Sequence, residues 1–191
     1  MDTSGCTAEW RIMVFEQIMK KNHISPDIYP IEWLKTTDYF SAPASKGHHA
    51  NYPGGLFDHH LNTLQELLRL TRNHTTEPWG RAESPFIIAT LHDVTKLGLY
   101  LETQDMNPNT KEMERVYITN PDYVRNGHGA DSVSKLLQHM NLTKEEQLCI
   151  RYHMGAYETE DWDGFDKAIR LYPNVLWTHT ADMIASKVLE K

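Results

Sequence analysis

The chain has 191 residues, 40 % of them hydrophobic and 24 % charged, which fits one globular domain and excludes a disordered chain or a coiled coil. Lys and Arg number 19 against 26 Asp and Glu, a net charge of −7, the wrong sign for broad attachment to duplex DNA or an anionic membrane. Apolar runs such as Phe86-Ile87-Ile88-Ala89 fall far short of the roughly 20 residues of a membrane span.

From Thr7 to Lys21 the residues Trp10, Met13, Val14 and Ile18 recur at i, i+3, i+4 and i+8, predicting an amphipathic helix with that face toward the core. The stretch from Ser25 to Pro53 contains Pro26, Pro30, Pro43 and Pro53 and is expected to be mostly loop, with one short helix around Ile31 to Lys35. No composition shift marks a linker, so residues 1–39 are expected to form an N-terminal helical cap and loop of the same domain as residues 40–191. After Gly54-Gly55, a helix from Leu56 to Leu70 places Leu61, Leu64, Leu67 and Leu68 on one face. Ser84-Pro85 reads as an N-cap followed by proline at the first helical position, opening a helix through Leu91, His92 and Asp93 to about Leu97.

Residues 99–125 change character: Asn107-Pro108-Asn109 separates Leu99-Tyr100-Leu101 from Val116-Tyr117-Ile118, the pattern of a small β-hairpin or ordered loop excursion. A helix from about Ala130 to Met140 follows. Thr143 and Glu146 then form a capping box for another helix through His153, and a last one from about Pro173 carries Trp177, Ala181, Ile184 and Val188. The expected fold class is all-α, a single helical bundle with that one excursion. The first residues, Met1-Asp2-Thr3-Ser4, lack the basic start and apolar stretch of a secretion signal, and Cys6 and Cys149 cannot make a disulfide framework, so the expected compartment is the cytoplasm.

Eleven histidines direct attention to metal ligation and proton transfer. His92-Asp93 ends an apolar helix, and adjacent helical residues point about 100° apart, so the pair can bracket one ion from a single helix. An isolated pair of this kind is equally explained by a buried histidine bonded to a carbonyl. Here it has company on other predicted helices: His59, His128 in Asn126-Gly127-His128-Gly129, His153, and Asp182 in His179-Thr180-Ala181-Asp182. The order His, His-Asp, His, His, Asp resembles the HD-domain superfamily of metal-dependent phosphohydrolases, and in particular its small bacterial and phage members. The resemblance runs from about Phe40 to Leu189 through Ala42-Pro43-Ala44-Ser45 with His49, Gly54-Gly55-Leu56-Phe57-Asp58-His59, Leu91-His92-Asp93-Val94-Thr95-Lys96, Gly127-His128-Gly129 and Arg151-Tyr152-His153-Met154-Gly155.

The resemblance implies that His59, His92, Asp93 and Asp182 hold a first divalent ion, with Asp93 bridging to a second near His128 and His153. One ion or two remains open, because His153-Met154 stands where some dinuclear relatives have consecutive histidines. Helical periodicity points His60 rather than His59 at the apolar stripe, whereas the family register selects His59; His60 then becomes a hydrogen-bonded neighbour of the site. His49 is implied to contact substrate, and His179, one turn from Asp182, to orient that carboxylate. Imidazole and carboxylate donors suit Mn, Fe, Co, Ni, Zn or Mg without choosing among them.

Lys96, one turn beyond Asp93, is placed to hold a phosphate oxygen or steady Asp93, which with Lys96 forms the expected catalytic pair. Arg151 is a second candidate for phosphate, and Tyr157, with Trp162 and Phe165, a candidate lip for stacking on a base. The expected activity is hydrolysis of a phosphate ester or anhydride of a nucleotide. The alternatives are a phosphodiesterase or 3′-to-5′ exonuclease on cyclic dinucleotides or single strands, and a non-catalytic nucleotide sensor. The acidic residues Glu158, Glu160, Asp161 and Asp163 favour a small nucleotide over extended nucleic acid. Analogy with small HD enzymes adds homo-oligomerisation.

Overall fold

Thr7 opens the first helix by accepting from the Trp10 N–H at 3.3 Å, and α1 runs Ala8–Lys21. The structure is a computed structural model and describes residues 3–74, 78–156 and 161–190. The inward face of α1 is Arg11, Phe15 and Met19 rather than the expected one; Trp10 and Met13 are 37 % and 49 % exposed, and Val14 and Ile18 pack only at the edge of the core. Phe15 sets this rotation, because its ring sits among Tyr29, Tyr39, Phe40, Phe57 and Phe86 with centroids 5.6–6.1 Å away. Hydropathic periodicity cannot count Arg11 as interior, yet it is buried there with hydrogen-bond partners.

The short α2 (Ile31–Lys35) forms where expected. The loop beyond it returns to the core through Gly54-Gly55. Gly54 has φ +84°, and a Cβ on Gly55 would lie 1.9 Å from the Ala50 carbonyl oxygen, so neither position accepts a side chain without moving the backbone. This tight entry leads into α3 (Gly55–His74), whose residues from Gly55 to Leu64 are all buried. Helix α3 therefore runs through the centre, with α4 (Ser84–Leu91) and α8 (Asn174–Ile184) packed against it.

Helix α4 stops at Leu91 instead of continuing to about Leu97. The His92 imidazole takes the Ala89 carbonyl at 2.9 Å, Asp93 leaves helical geometry at φ −109° and ψ 19°, and a 3-10 turn follows over Val94–Lys96. The expected hairpin is present as β1 (Tyr100–Met106) antiparallel to β2 (Met113–Thr119), in register from Tyr100 opposite Thr119 to Met106 opposite Met113. Of its strand residues only Tyr117 is buried, so the hairpin stands out from the helical body.

Helix α5 spans His128–Leu136 and α6 spans Lys144–Arg151, so α5 starts earlier than expected and α6 ends before His153. The capping box on α6 is formed, with Glu146 N–H donating to Thr143 Oγ1 at 3.2 Å and Thr143 N–H to Glu146 Oε2 at 2.8 Å. A Cβ on Gly129 would lie 2.2 Å from the Arg151 carbonyl oxygen, which lets α5 and α6 meet beside the two histidines they carry. Residues Trp162–Leu171 form a helix, α7, capped by Asp161 and burying Phe165 and Ala168, where the sequence reading had an aromatic lip in a loop. Beyond α8 the chain widens into a π-turn, Ala185–Leu189, instead of continuing as α-helix to its end. The molecule is mostly helical with one small antiparallel sheet, and no helix among the described residues is long and apolar enough to cross a membrane.

Candidate metal centre

Helix ends and the central helix bring six ligand-type side chains together. His59 comes from the first turn of α3, His92 and Asp93 from the break after α4, His128 from the first residue of α5, His153 from just beyond α6, and Asp182 from α8. All six are buried, Asp93 to 2 % and His92 and His153 completely. His59 Nε2 lies 3.2 Å from His92 Nε2 and 3.0 Å from Asp182 Oδ1, and both imidazole nitrogens are 3.7 Å from Asp93 Oδ2. On the other side of Asp93, Oδ1 contacts His128 Nε2 and lies 3.4 Å from His153 Nε2. Two groups result, His59/His92/Asp182 and Asp93/His128/His153, each with its ligand atoms close enough to share one ion.

The direction of the surrounding hydrogen bonds shows that this arrangement suits a cation. His92 Nδ1 donates to the Ala89 carbonyl and His59 Nδ1 to the Glu190 carboxylate, at 2.9 and 3.1 Å, so each ring turns its Nε2 toward the centre. With both rings neutral, their two nitrogen lone pairs converge on the Asp182 carboxylate with no proton between them, while Asp93 beside them is paired with the Lys96 ammonium. His153 repeats the pattern: Nδ1 donates to the Ile150 carbonyl at 2.7 Å, and Nε2 is buried with no partner while facing Asp93. An unsatisfied buried acceptor of this kind is costly unless a cation occupies the space between. The donor set of imidazole and carboxylate fits a divalent metal.

The electrostatics agree. Burial opposes a charge on His59, but hydrogen bonds to Asp182 and Glu190 outweigh it and push the imidazole up to about 9. Burial also opposes ionisation of Asp93 and Asp182. Lys96 and His128 hold Asp93, and His59 and His92 hold Asp182, well below the usual carboxylate range. His153 is likewise raised, Asp93 overcoming its burial, whereas burial lowers His92. A proton on His59 thus stands where a metal would. Because its folded value lies above the ordinary 6.5, the stabilisation it gives the metal-free protein is fully present below pH 6.5 and lost as pH rises through about 9. Metal must displace that proton, so affinity should climb about tenfold per pH unit between 7 and 9 and then level. Titration calorimetry with Mn²⁺ in buffers of different ionisation enthalpy should detect the released proton; a pH-independent affinity would rule out His59 as a ligand.

Lys96 Nζ sits 2.5 Å from Asp93 Oδ2 and is buried; Asp93 outweighs the burial and raises the ammonium above its ordinary value. His60 uses Nδ1 on the Tyr39 hydroxyl at 2.9 Å, its ring packs on His92 and its Nε2 is buried without a partner, so with His92 and Asp93 it makes a further group able to share an ion. His49 packs against His59 with the rings tilted by 48° and centroids 5.2 Å apart, and its Nε2 is buried without a partner; burial and the neighbouring His59 lower it to about 4.

Two expected residues lie elsewhere. His179 donates to or accepts nothing from Asp182 here, since its Nδ1 bonds the His153 carbonyl at 2.7 Å and its ring lies edge-on to Phe165. Arg151 lies along α6 with its guanidinium over the Tyr152 ring, beside Val133 and Leu148, because α6 turns that face away from the cluster. Tyr157 falls outside the described residues. Two residues absent from the sequence reading are present instead. Arg125 Nη1 donates to His128 Nδ1 at 3.1 Å, and Glu190 contacts His59. Arg125 is only three residues before His128, a spacing that could have flagged it, whereas Glu190 has no ligand-type neighbour in sequence. Compared with protein-family models, curated proteins and solved structures, the chain matches none.

Proposed function

We propose that the chain is an HD-type metal-dependent phosphohydrolase acting on a phosphate ester or anhydride of a nucleotide. The observation that carries this reading is the convergence of His59 Nε2, His92 Nε2 and Asp182 Oδ1 within 3.7 Å, with Asp93 shared by a second group of His128 and His153. Bound divalent metal there supplies a Lewis acid and lowers the pKa of coordinated water toward about 7.

The chain's own residues supply the rest. Asp93 presents one oxygen to each group and is kept ionised, as a shared ligand must be. Lys96 keeps its proton beside Asp93 and places an ammonium where a phosphoryl oxygen can accept from it. Arg125, beside His128, adds a planar guanidinium that can take two phosphate oxygens, the role that the sequence alone assigned to Arg151. His49 is held neutral near neutral pH and offers a hydrogen bond rather than a charge. In the overall reaction a water oxygen bonds to phosphorus, the bond from phosphorus to the leaving oxygen breaks, and the proton ends on that oxygen. The net charge of −7 disfavours long polyanions and supports a small nucleotide.

The test is hydrolysis, by protein stripped and reloaded with Mn²⁺ or Mg²⁺, of a panel of nucleoside mono- and triphosphates, cyclic dinucleotides and short RNA. Release of phosphate or pyrophosphate from nucleotides is expected in metal and not in chelator. Cleavage confined to cyclic dinucleotides or RNA would replace the nucleotide reading with the phosphodiesterase one, and binding without any turnover would leave a sensor.

A further inference from the structure

We propose that Glu190 is the positioning residue that makes His59 a metal ligand, delivered to it by the π-turn that follows α8. The proposal rests on the metal-centre reading above. His59 differs from the other ligand-type histidines in where it sits. His92 and His153 lie just past the ends of α4 and α6, where the carbonyls three residues back, Ala89 and Ile150, are no longer needed by the helical ladder and accept from their Nδ1. His59 lies inside the first turn of α3, where the preceding carbonyls are engaged in helix hydrogen bonds; Gly54 O, for example, accepts from the Asp58 N–H. Its ring cannot be held by its own helix, so the holder has to come from elsewhere.

Glu190 is that holder. Its two carboxylate oxygens lie 3.2 and 3.1 Å from His59 Nδ1, and Oε1 also accepts from Asn62 Nδ2 at 2.9 Å. Asn62 is three residues beyond His59 on the same face of α3, so two donors from one helix converge on one carboxylate, whose side chain is only 4 % exposed. A carboxylate can only accept, which fixes the proton of neutral His59 on Nδ1 and leaves Nε2 as the bare nitrogen toward His92 and Asp182. Residues of a single continuous segment thus face the one imidazole from both sides, Glu190 accepting from its Nδ1–H and Asp182 Oδ1 standing 3.0 Å from its Nε2.

The π-turn makes this double grip fit. Eight residues of regular α-helix would rotate position 190 about 80° past Asp182. Each residue of the wider π-turn advances less than an α-helical residue, and the Glu190 N–H bonds back to the Ala185 carbonyl, five residues earlier, at 3.2 Å. The lost rotation brings Glu190 back to the face that carries Asp182, against α3. Among the described residues this is where the last helix departs from α geometry, and the departure has a use only if position 190 must reach His59.

The experiment measures Mn²⁺ binding by calorimetry to metal-free wild type, Glu190→Ala and Glu190→Gln, together with the His59 tautomer from two-bond ¹⁵N–¹H NMR correlations on the metal-free proteins above about pH 9, where the ring is neutral. Glu190→Ala should lose on the order of 10- to 100-fold in affinity at the group containing His59. It should also show His59 as a mixture of tautomers, with unchanged circular dichroism. Glu190→Gln keeps a carbonyl oxygen for Nδ1 and should recover most of the affinity and the Nδ1–H signature. Wild-type affinity and a pure Nδ1–H tautomer in Glu190→Ala would overturn the proposal, as would equal losses in both variants with the tautomer unchanged. A wild-type protein that binds no Mn²⁺ fails earlier and removes the metal-centre reading together with this one.

Discussion

On the proposed function, Asp93→Asn should abolish the proposed hydrolysis, by about 10³-fold or more, and prevent metal from binding in either half of the site. Asp93 belongs to one group and faces the other: Oδ1 meets His128 and stands 3.4 Å from His153, while Oδ2 stands 3.7 Å from both His59 and His92. Asparagine keeps the shape but offers one neutral acceptor oxygen in place of two anionic ones, and its amide must turn an N–H toward one set of imidazole lone pairs. The same substitution has a cost unconnected with metal. Lys96 Nζ, 7 % exposed at the residue level and 2.5 Å from Asp93, would be left as a buried cation without its counter-charge, a change that typically costs about 3–5 kcal/mol.

Loss of activity and loss of stability can therefore be separated. Asp93→Asn combined with Lys96→Met should regain much of the thermal stability while remaining inactive and metal-poor, because the methionine removes the stranded charge but restores no ligand. Elemental analysis and melting curves on the wild type, both single variants and the double variant give the answer. An Asp93→Asn protein that keeps wild-type metal content and turnover would show that the shared carboxylate is not part of the chemistry.

The helices that carry strong local signals were readable before any coordinates. The Thr143–Glu146 box is realised at the start of α6 and the turn residues at Asn107-Pro108-Asn109 do separate two strands, whereas Ser84-Pro85 opens α4 with Ser84 already inside the helix, its hydroxyl donating to Glu146 instead of capping. These features depend on a few adjacent residues, so sequence suffices. The choice of His59 over His60 came from family register against periodicity, and geometry explains why periodicity misled: the first ten residues of α3 are buried on every side, so no single apolar stripe exists there. His60 points to Tyr39 and His59 to Asp182, both in the interior.

What could not be read depends on contacts across the chain. Arg125 and Arg151 lie three and two residues from a histidine, and nothing in the sequence says that Arg125 turns onto His128 just ahead of α5 while Arg151 lies over the Tyr152 ring at the end of α6. Helix α7 hides because its start is acidic and aromatic, Asp161-Trp162-Asp163, although the spacing of Phe165 and Ala168 is helical. Glu190 is 131 residues from its partner His59 and reaches it through a π-turn that no propensity announces.

Arg11 carries the other large effect, on folding rather than chemistry. Its guanidinium is 1 % exposed and donates through Nε to Thr3 Oγ1 at 2.8 Å, through Nη1 to the Phe40 carbonyl at 3.1 Å, and through Nη2 to the Thr3 and Pro53 carbonyls at 2.6 and 2.7 Å. Thr3 passes the link to Asp58, fully buried, whose oxygens accept from Thr3 N–H at 2.6 Å, Thr3 Oγ1 at 2.7 Å and the Tyr52 hydroxyl at 2.8 Å. A buried cation and a buried anion thus offset one another through one threonine, and Asp58 directly precedes His59. Arg11→Met fills part of the volume but takes the donor from the Phe40 and Pro53 carbonyls and leaves Asp58 without a compensating charge, which should cost on the order of 3–5 kcal/mol and lower Tm by roughly 10 °C in a chain of this size. Arg11→Lys keeps the charge without the fork and should fall between. Adding Asp58→Asn to Arg11→Met should return part of the loss, since the stranded anion is then gone. Because the network fixes the loop that turns into α3, Arg11→Met should also weaken metal binding without touching any ligand. If Arg11→Met melts with the wild type, the buried guanidinium contributes nothing to holding that first turn in place.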